Sequence, residues 1–312
     1  MTIVMKIKTI FIGTPDFALP SLKSLLQDDF FDIVGVITQP DKKVGRKQIL
    51  TPPPVKELAL KNNIPVWQPE SIKNYQLPIT DLDLIVVAAY AKIIPESILN
   101  YPKYGCINVH GSLLPKHRGA SCVQAAILNG DKETGITIMK MDKGLDTGPI
   151  IYQESVAIEP KDTAGSLYYK LSDLGGKILP ETVRKYINGE LAAVPQDDAN
   201  ANYVGMLKKE DGKIDWSKDA EFNERFIRAM QPWPGAFSSV DELGMKITEV
   251  EHKPVKADKY QQGELFLYEN KLAIQCGKDA LLISRLQLEG KKECGSDEFL
   301  RGYNGYIGKI LK

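Results

Sequence analysis

The chain lacks an excess of either charge. Its 312 residues include 40 lysines and arginines and 40 aspartates and glutamates, so the formal net charge is +0. A protein that binds a polyanion over its whole surface would carry a clear positive excess. Any nucleic-acid partner must therefore be met by a local basic patch.

The chain also has few cysteines. They are Cys106, Cys122, Cys276 and Cys294, and no two of them form a C-x-x-C pair. This spacing indicates neither a disulfide framework nor a zinc site, and we expect no metal. Free thiols suit a reducing compartment, so a cytoplasmic location is expected.

Long apolar runs are absent as well. No stretch approaches the roughly 18 apolar residues of a membrane span, so no membrane partner is expected. The apolar start, Met1 to Ile12, lacks the long hydrophobic region and the cleavage site of a signal peptide. The first predicted strand is followed by GTPDFALP, which has a single glycine. Without the pattern G-x-G-x-x-G, a nicotinamide oxidoreductase is disfavoured.

What is present is a regular alternation of short apolar runs with helical periodicity over residues 1–189. The clearest strand is Asp83–Tyr90, which is apolar on both faces, as the central strand of a parallel sheet must be. The alternation predicts an α/β domain, a doubly wound Rossmann-like parallel sheet with flanking helices. The polar and proline-rich residues 39–54 are predicted to form a loop.

A second domain is expected from the length of the chain. Residues 190–207 are rich in Ala, Asn, Asp and Pro and are predicted to be a linker. Residues 208–312 contain a helical stretch near Glu221–Met230 and then short strands separated by turns, which predicts a smaller OB-like β-barrel domain. The predicted strands are Met245–Glu251, Glu264–Tyr268, Leu272–Cys276 and Leu281–Leu288.

One predicted strand carries side chains suited to catalysis. In the segment GCINVH, alternation places Ile107 and Val109 on one face and Asn108 and His110 on the other. The carboxyl end of a strand is where an α/β sheet places its active site. Asparagine can donate to a developing oxyanion, and histidine can donate or accept a proton near neutral pH. The alternative is a histidine that caps a neighbouring carbonyl, beside an asparagine in a turn.

Asp146 is the carboxylate best placed to orient that histidine. It follows a predicted strand within DKGLDTG, where two glycines let the backbone turn tightly. A carboxylate beside an imidazole favours the cationic form. Asp142 is the competing acid and is expected to serve a turn, which is also the alternative role of Asp146. The other two histidines, His117 and His252, are expected to be solvated.

Four segments, taken in order, resemble the core of the folate-dependent formyltransferase family. They are NVHGSLLP at 108–115, RGA at 118–120, TGIT at 134–137 and LDTGP at 145–149. The spacing between them also fits, and the resemblance extends over nearly the whole chain. Further segments, FIGTPDFALPSL, TPPPVK and QPWPGAF, are similar to the members of this family that act on methionyl-tRNA.

The resemblance implies a catalytic trio and a reaction. Asn108, His110 and Asp146 correspond to the family's catalytic residues. The implied reaction moves a formyl group from 10-formyltetrahydrofolate to the amino group of initiator methionyl-tRNA, for translation initiation. Asn108 and protonated His110 would stabilise the oxygen of the tetrahedral intermediate, and Asp146 would keep His110 charged.

The resemblance also implies where the folate binds. Shortly after residues 112–115, which correspond to the family's tetrahydrofolate-contacting segment, Cys122 stands where the family usually has proline, at the predicted start of a helix. Because proline there would only preset φ in the first helical turn, the local effect of the change should be modest. The residues that correspond to the family's tetrahydrofolate-contacting segment are Ser112, Leu113, Leu114 and Pro115.

A basic loop is the expected RNA contact, since it resembles part of the family's inserted tRNA-contacting loop. Positive side chains on such a loop can neutralise phosphates and reach an opened acceptor end. A solvated run of charge is the alternative. The OB-like domain is also expected to bind tRNA, and the chain is expected to act as a monomer. The basic residues are Lys42, Lys43, Arg46 and Lys47.

Three other functions stay open at this point. A formyltransferase for an aminated nucleotide sugar would share the trio and can carry a similar second domain, but it has no evident use for the basic loop. A hydrolase that releases formate would need neither that loop nor the C-terminal domain. A non-catalytic folate- or RNA-binding protein would not be expected to keep Asn108, His110 and Asp146 together.

Overall fold

A computed structural model describes residues 6–45 and 47–312, which divide into two compact units. The first unit contains the chain up to Cys122, together with Glu133–Val156 and Tyr168–Gly205. The second contains Val123–Lys132, Ala157–Leu167 and Met206–Lys312. The units therefore alternate along the chain, and the domain boundaries 1–189, 190–207 and 208–312 stay predictions.

The part of the chain up to residue 204 alternates strands with helices, as its sequence predicts. Its helices are α1 (Leu19–Gln27), α2 (Pro54–Lys61), α3 (Glu96–Leu99), α4 (Cys122–Asn129) and α5 (Ala164–Ile187). Its strands are β1 (Ile7–Gly13), β2 (Phe31–Ile37), β3 (Lys42–Val44), β4 (Ile49–Thr51), β5 (Val66–Trp67), β6 (Leu84–Ala88), β7 (Cys106–His110), β8 (Arg118–Gly119), β9 (Glu133–Lys140), β10 (Ile150–Ala157) and β11 (Tyr203–Val204).

Seven of these strands form one sheet in the order β10-β9-β7-β6-β1-β2-β5. β1 pairs in parallel with β2 and β6, and β6 pairs in parallel with β7. The predicted Rossmann-like α/β fold is thus confirmed. One difference is that β9 runs antiparallel to β7, so the sheet is mixed. An antiparallel strand at the side of a parallel sheet is common, and its apolar pattern does not reveal its direction.

The core explains why the middle strands are apolar on both faces. Ile10 and Ile12 of β1 and Ile85 and Val87 of β6 are buried in one cluster with the side chains of the following loops. In register, Gly13 pairs with Ala88, and Ala88 pairs with Val109. The loops that follow β1, β6 and β7 therefore leave the sheet at one edge, which we call the carboxyl edge.

The predicted loop at residues 39–54 contains a small hairpin. β3 and β4 pair antiparallel, with Lys42 opposite Thr51 and Val44 opposite Ile49. Gly45 at the turn has a φ of 71°, which a glycine adopts without steric cost. Strands of three residues are too short for a periodic signal, so the sequence alone did not reveal them.

The predicted linker is also ordered against the first unit. Val194 exchanges two backbone hydrogen bonds of 2.8 Å with Ile150. Further along, β11 pairs in parallel with β8, with Tyr203 beside Arg118 and Val204 beside Gly119. The polar composition predicted a linker, but it did not predict these contacts.

The second unit is built on an antiparallel sheet, in agreement with the OB-like expectation. The sheet order is β12-β13-β16-β15-β14, and β17 pairs with β16. The four predicted strands and the predicted helix are found within two residues of their expected bounds, whereas β12, β17 and the last helix were not predicted. The elements are α6 (Ala220–Ala229), α7 (Ser296–Tyr303), β12 (Phe237–Val240), β13 (Leu243–Val250), β14 (Leu265–Tyr268), β15 (Lys271–Gln275), β16 (Ala280–Leu288) and β17 (Cys294–Gly295).

Candidate active site

The strand β7 presents Asn108 and His110 as its alternation predicts. Ile107 and Val109 are buried on the opposite face, which fixes the orientation of the strand. Asn108 is half-buried, and its side-chain amide has no hydrogen-bond partner among the residues the structure describes. A half-buried amide left free at the carboxyl edge of the sheet is suited to donate to a substrate oxygen.

Both ring nitrogens of His110 face hydrogen-bond acceptors. Its Nε2 lies 3.2 Å from the backbone oxygen of His117. Its Nδ1 lies 3.6 Å from Oδ2 of Asp146, and both side chains are largely buried. Because a carbonyl oxygen can only accept, Nε2 carries a proton in this arrangement. The Asp146 carboxylate is the acceptor on the Nδ1 side of the ring.

Asp146 occupies a strained position that places its carboxylate toward His110. Its φ is 54°, in the left-handed region that non-glycine residues seldom adopt. The same Oδ2 that faces His110 accepts the backbone N–H of Gly119 at 2.8 Å. Asp142, by contrast, accepts from the Gly144 N–H and from the hydroxyl of Thr147, as expected of a turn residue. The two acids therefore have different roles: Asp146 faces the histidine, and Asp142 stabilises a turn.

Hydrogen bonds with Thr137 and Gln153 fix the backbone of the segment predicted to contact folate. Thr137 Oγ1 donates to the Ser112 carbonyl at 2.6 Å and accepts the N–H of Leu114 at 3.1 Å. The Leu114 carbonyl in turn accepts from Gln153 at 2.8 Å. Since the backbone of Leu114 is engaged internally, a planar ligand at this segment would rely on Leu113 and Pro115, which are half-buried. The folate contact itself stays a prediction.

The remaining histidines and cysteines do not form a second centre. His117 is buried, which contradicts the expectation of a solvated side chain, because Asn202 holds its backbone N–H at 2.7 Å. His252 is about half exposed and pairs with Glu224 at 3.1 Å. Burial raises the pKa of Cys106 to about 12, so its thiol is inert. Cys122 begins α4, the position where the sequence analysis placed it.

The loop after β6 lines a cavity at the carboxyl edge whose lining includes none of the three predicted catalytic side chains. The sequence had not singled out this loop. Ala89 and Ala91 have φ values of 47° and 58°, and Ile93 is 86% exposed. Together with Gln39 and Lys42, this loop lines a cavity of about 660 Å³. The signal was available, because the loop follows the clearest strand of the sequence and must therefore leave the sheet where α/β ligands bind.

The hairpin of β3 and β4 presents basic and apolar side chains to solvent. Lys42, Lys43 and Lys47 are exposed, and Arg46 lies outside the described residues. Exposed apolar side chains accompany them at Val44, Ile49 and Leu50. The base of the hairpin is anchored by an ion pair of 2.8 Å between Lys56 and Asp41.

The arrangement at the carboxyl edge is a polar site built from three side chains of the first unit. Among the described residues, no group of three or more His, Cys, Asp and Glu side chains could hold a metal ion. In the same part of the chain, no helix is long and apolar enough to cross a membrane. What the site offers is a free amide donor, an imidazole and a carboxylate.

Comparison with known proteins assigns the chain to a family. The sequence profile of the formyl transferase domain matches residues 5–183, and that of the formyl transferase C-terminal domain matches residues 206–304. The chain belongs to the formyl transferase family. This assignment confirms the resemblance found in the sequence.

Relatives within the formyl transferase family cover nearly all of the chain. A methionyl-tRNA formyltransferase from Caldanaerobacter subterraneus subsp. tengcongensis is 45% identical over 310 residues, covering 98% of this chain and 100% of the relative. One from Lachnospira eligens is 42% identical, covering 97% and 99%. Among solved structures, a sugar 3N-formyl transferase has a TM-score of 0.66 at 24% identity, covering 92% of this chain and 100% of that one. At that identity the last comparison concerns the fold alone.

Proposed function

We propose that this formyl transferase moves a formyl group from 10-formyltetrahydrofolate to the amino group of initiator methionyl-tRNA. The observation that carries the proposal is the free amide of Asn108 beside the His110–Asp146 pair at the carboxyl edge. Donors placed where negative charge develops are what acyl transfer requires. The choice of acceptor is supported by the relatives at 42–45% identity, which bear the name methionyl-tRNA formyltransferase.

The site residues would act on the oxygen and the protons of the transfer. As the amine of the methionyl group attacks the formyl carbon, the carbonyl oxygen becomes an oxyanion, to which the amide of Asn108 donates and which protonated His110 stabilises by its charge. The new C–N bond forms and the bond from the formyl carbon to folate N10 breaks. The amine loses one proton and N10 gains one, so the exchange balances without an oxidant. Asp146 supports the positive charge of His110 throughout.

The hairpin of β3 and β4 would receive the acceptor end of the tRNA. Lys42 lines the same cavity as Tyr90 and Ile93, so the hairpin and the carboxyl edge share one surface. Lysines neutralise phosphates, and exposed apolar side chains suit unstacked bases. The combination has no evident use with a small amino sugar, which is the second candidate acceptor.

Direct assay distinguishes the acceptors. The protein would be incubated with 10-formyltetrahydrofolate and, in parallel, with methionyl initiator tRNA, methionyl elongator tRNA, a nucleotide amino sugar and water alone. We expect formyl-methionine from the initiator tRNA, and much less from the elongator. Formylated sugar or free formate as the main product would overturn the choice of acceptor while leaving the trio in place.

The setting of the proposed reaction follows from its acceptor. Charged initiator tRNA is found where translation starts, so the cytoplasm is the proposed location. We also propose a monomer, since the trio comes from the first unit of one chain. Sedimentation of the purified protein at micromolar concentration tests this, and a stable dimer would contradict it.

A further inference from the structure

The residues that were expected to be a linker reach back to the loops of the active site. Within this segment, defined here as the 194–204 segment, Gln196 donates through Nε2 to two carbonyl oxygens. These are the oxygens of Asp146 at 2.8 Å and of Gly148 at 2.7 Å. One amide group therefore holds the backbone of the strained Asp146 from a position 50 residues later in the chain.

The other end of the Gln196 side chain is fixed by a buried arginine. Its Oε1 accepts from Nε of Arg118 at 3.1 Å and from Nη2 at 2.8 Å. Arg118 is only 2% exposed, and its remaining donors reach Asp198 at 2.7 Å and Tyr203 at 3.0 Å. A guanidinium whose fork is satisfied in this way is a rigid support, because moving it would leave a buried charge unpaired.

The same segment also positions the backbone carbonyl of His117, which faces His110. Asn202 accepts the N–H of His117 at 2.7 Å and lies 3.1 Å from its ring Nδ1. The next residues pair in parallel with Arg118 and Gly119. A side chain at Gly119 would overlap the carbonyl oxygen of Val204, so only glycine permits this approach. The Gly119 N–H is therefore left pointing at Asp146.

Both acceptors that face His110 are thus held by residues of this segment. We propose that Gln196 and Arg118 are positioning residues for Asp146, and that the 194–204 segment is a working part of the active site rather than a connection between domains. The inference rests on the proposed function only for its kinetic readout. Catalytic geometry is demanding: a misplacement of about 1 Å can cost about 10²-fold in rate.

The first variant is Gln196→Ala, which removes the hold on Asp146 from a half-buried side chain. We expect kcat to fall about 10- to 100-fold, the loss seen elsewhere when the outer hydrogen-bond partners of a metal-bound histidine are removed. The KM values for folate and tRNA should change less than about three-fold, because no substrate contact is lost. Asn188→Ala is the matched control, since that exposed side chain lies outside the segment and donates to Glu190.

Gln196→Glu separates the two ends of the side chain. The glutamate still accepts from Arg118 but presents no donor to the carbonyl oxygens of Asp146 and Gly148. We expect it to lose as much kcat as Gln196→Ala while melting near the wild-type temperature. Wild-type kcat in Gln196→Glu would show that the hydrogen bonds from residue 196 to the Asp146 and Gly148 carbonyl oxygens are not needed.

Hydrogen exchange of the Gly119 amide gives a readout that requires no substrate. This N–H donates to Asp146, so its exchange in Gln196→Ala should accelerate several-fold while amides of β1 and β6 stay protected. Unchanged Gly119 exchange together with wild-type kcat would overturn the inference. If the wild-type protein instead formylates no tRNA, the proposed function fails, and the exchange experiment still decides the role of the segment.

Discussion

Two regions of the first unit handle polar chemistry in opposite ways. The surroundings of His110 are buried and braced by residues from three separate parts of the chain: the strand β7, the Asp146 loop and the 194–204 segment. The hairpin of β3 and β4 is exposed and is held mainly at its base. The first region fixes atoms, and the second offers charge and apolar surface to a partner.

The difference reflects which part of the reaction needs rigidly positioned atoms. A proton donor and an oxyanion donor must be placed within a fraction of an ångström, which needs hydrogen bonds from several directions. Phosphate neutralisation works over a longer range and tolerates movement. We therefore expect variants of the first region to lower kcat, and variants of the hairpin to raise the KM for tRNA. The predictions below test that division.

The largest effect is expected from His110→Ala or Asn108→Ala. Each removes one group that stabilises the oxyanion, and loss of one oxyanion donor typically costs about 10²–10³ in rate. Steady-state kinetics with saturating folate and tRNA measures it. His252→Ala, an exposed histidine of the second unit, is the control and should retain wild-type kcat. Wild-type turnover in either site variant would remove the catalytic assignment.

Asp146→Asn should lower kcat by roughly 10- to 100-fold, because the charge beside His110 is lost while the shape is kept. The asparagine can still accept the Gly119 N–H, so the loop should stay in place. Comparison of kcat with the two KM values tests this. If only the KM for tRNA rises, Asp146 contacts substrate instead of supporting the histidine.

Neutralising Lys42, Lys43, Arg46 and Lys47 together should raise the KM for tRNA about 10-fold with kcat nearly unchanged. Each lost phosphate contact to a single strand lowers the salt dependence of log K by roughly 0.7. Titration of tRNA binding between low and moderate salt measures the slope. The charge-conserving variant with arginine at the three lysines should keep it. A large loss of kcat would break the division between the two regions.

The smallest effect is expected from Lys56→Met at the base of the hairpin. Hydrogen bonding from Lys56, followed by that from Gln68, lowers the pKa of Asp41 below its ordinary value of 3.8. Because the pKa is lowered on folding, the pair supports the hairpin at neutral pH and loses its effect only as acid protonates Asp41. The two side chains are 22% and 25% exposed, so water still screens the pair, and we expect a rise of less than about five-fold in the KM for tRNA.

Much of the fold followed from the sequence because its signals are local. The strands β13 and β16 and the helix α6 were predicted within two residues, since apolar periodicity is read over one element. The hairpin strands, β8 and β11 were missed because two or three residues carry no period. The direction of β9 was missed because burial on both faces looks the same in either direction.

In the candidate site, too, local features could be predicted and long-range contacts could not. Asn108 and His110 could be placed on one face of β7 from alternation alone. Asp146 was singled out by its place between two glycines after a strand, and the family resemblance supported it. The loop after β6 was not singled out, although a loop at the carboxyl end of a central strand lies where α/β proteins bind ligands. His117 was expected in solvent, but Asn202, far along the chain, draws its backbone inward.

Local sequence patterns were enough to predict the α/β alternation, the antiparallel second unit, the family and the polar groups at the carboxyl edge. The contacts of Asp146 with His110, of Gln196 with Asp146 and of the buried Arg118 with Gln196 are visible only in the folded chain. The physical reason is that secondary structure depends on near neighbours. A hydrogen bond between residues 50 apart depends on the path of the whole chain between them.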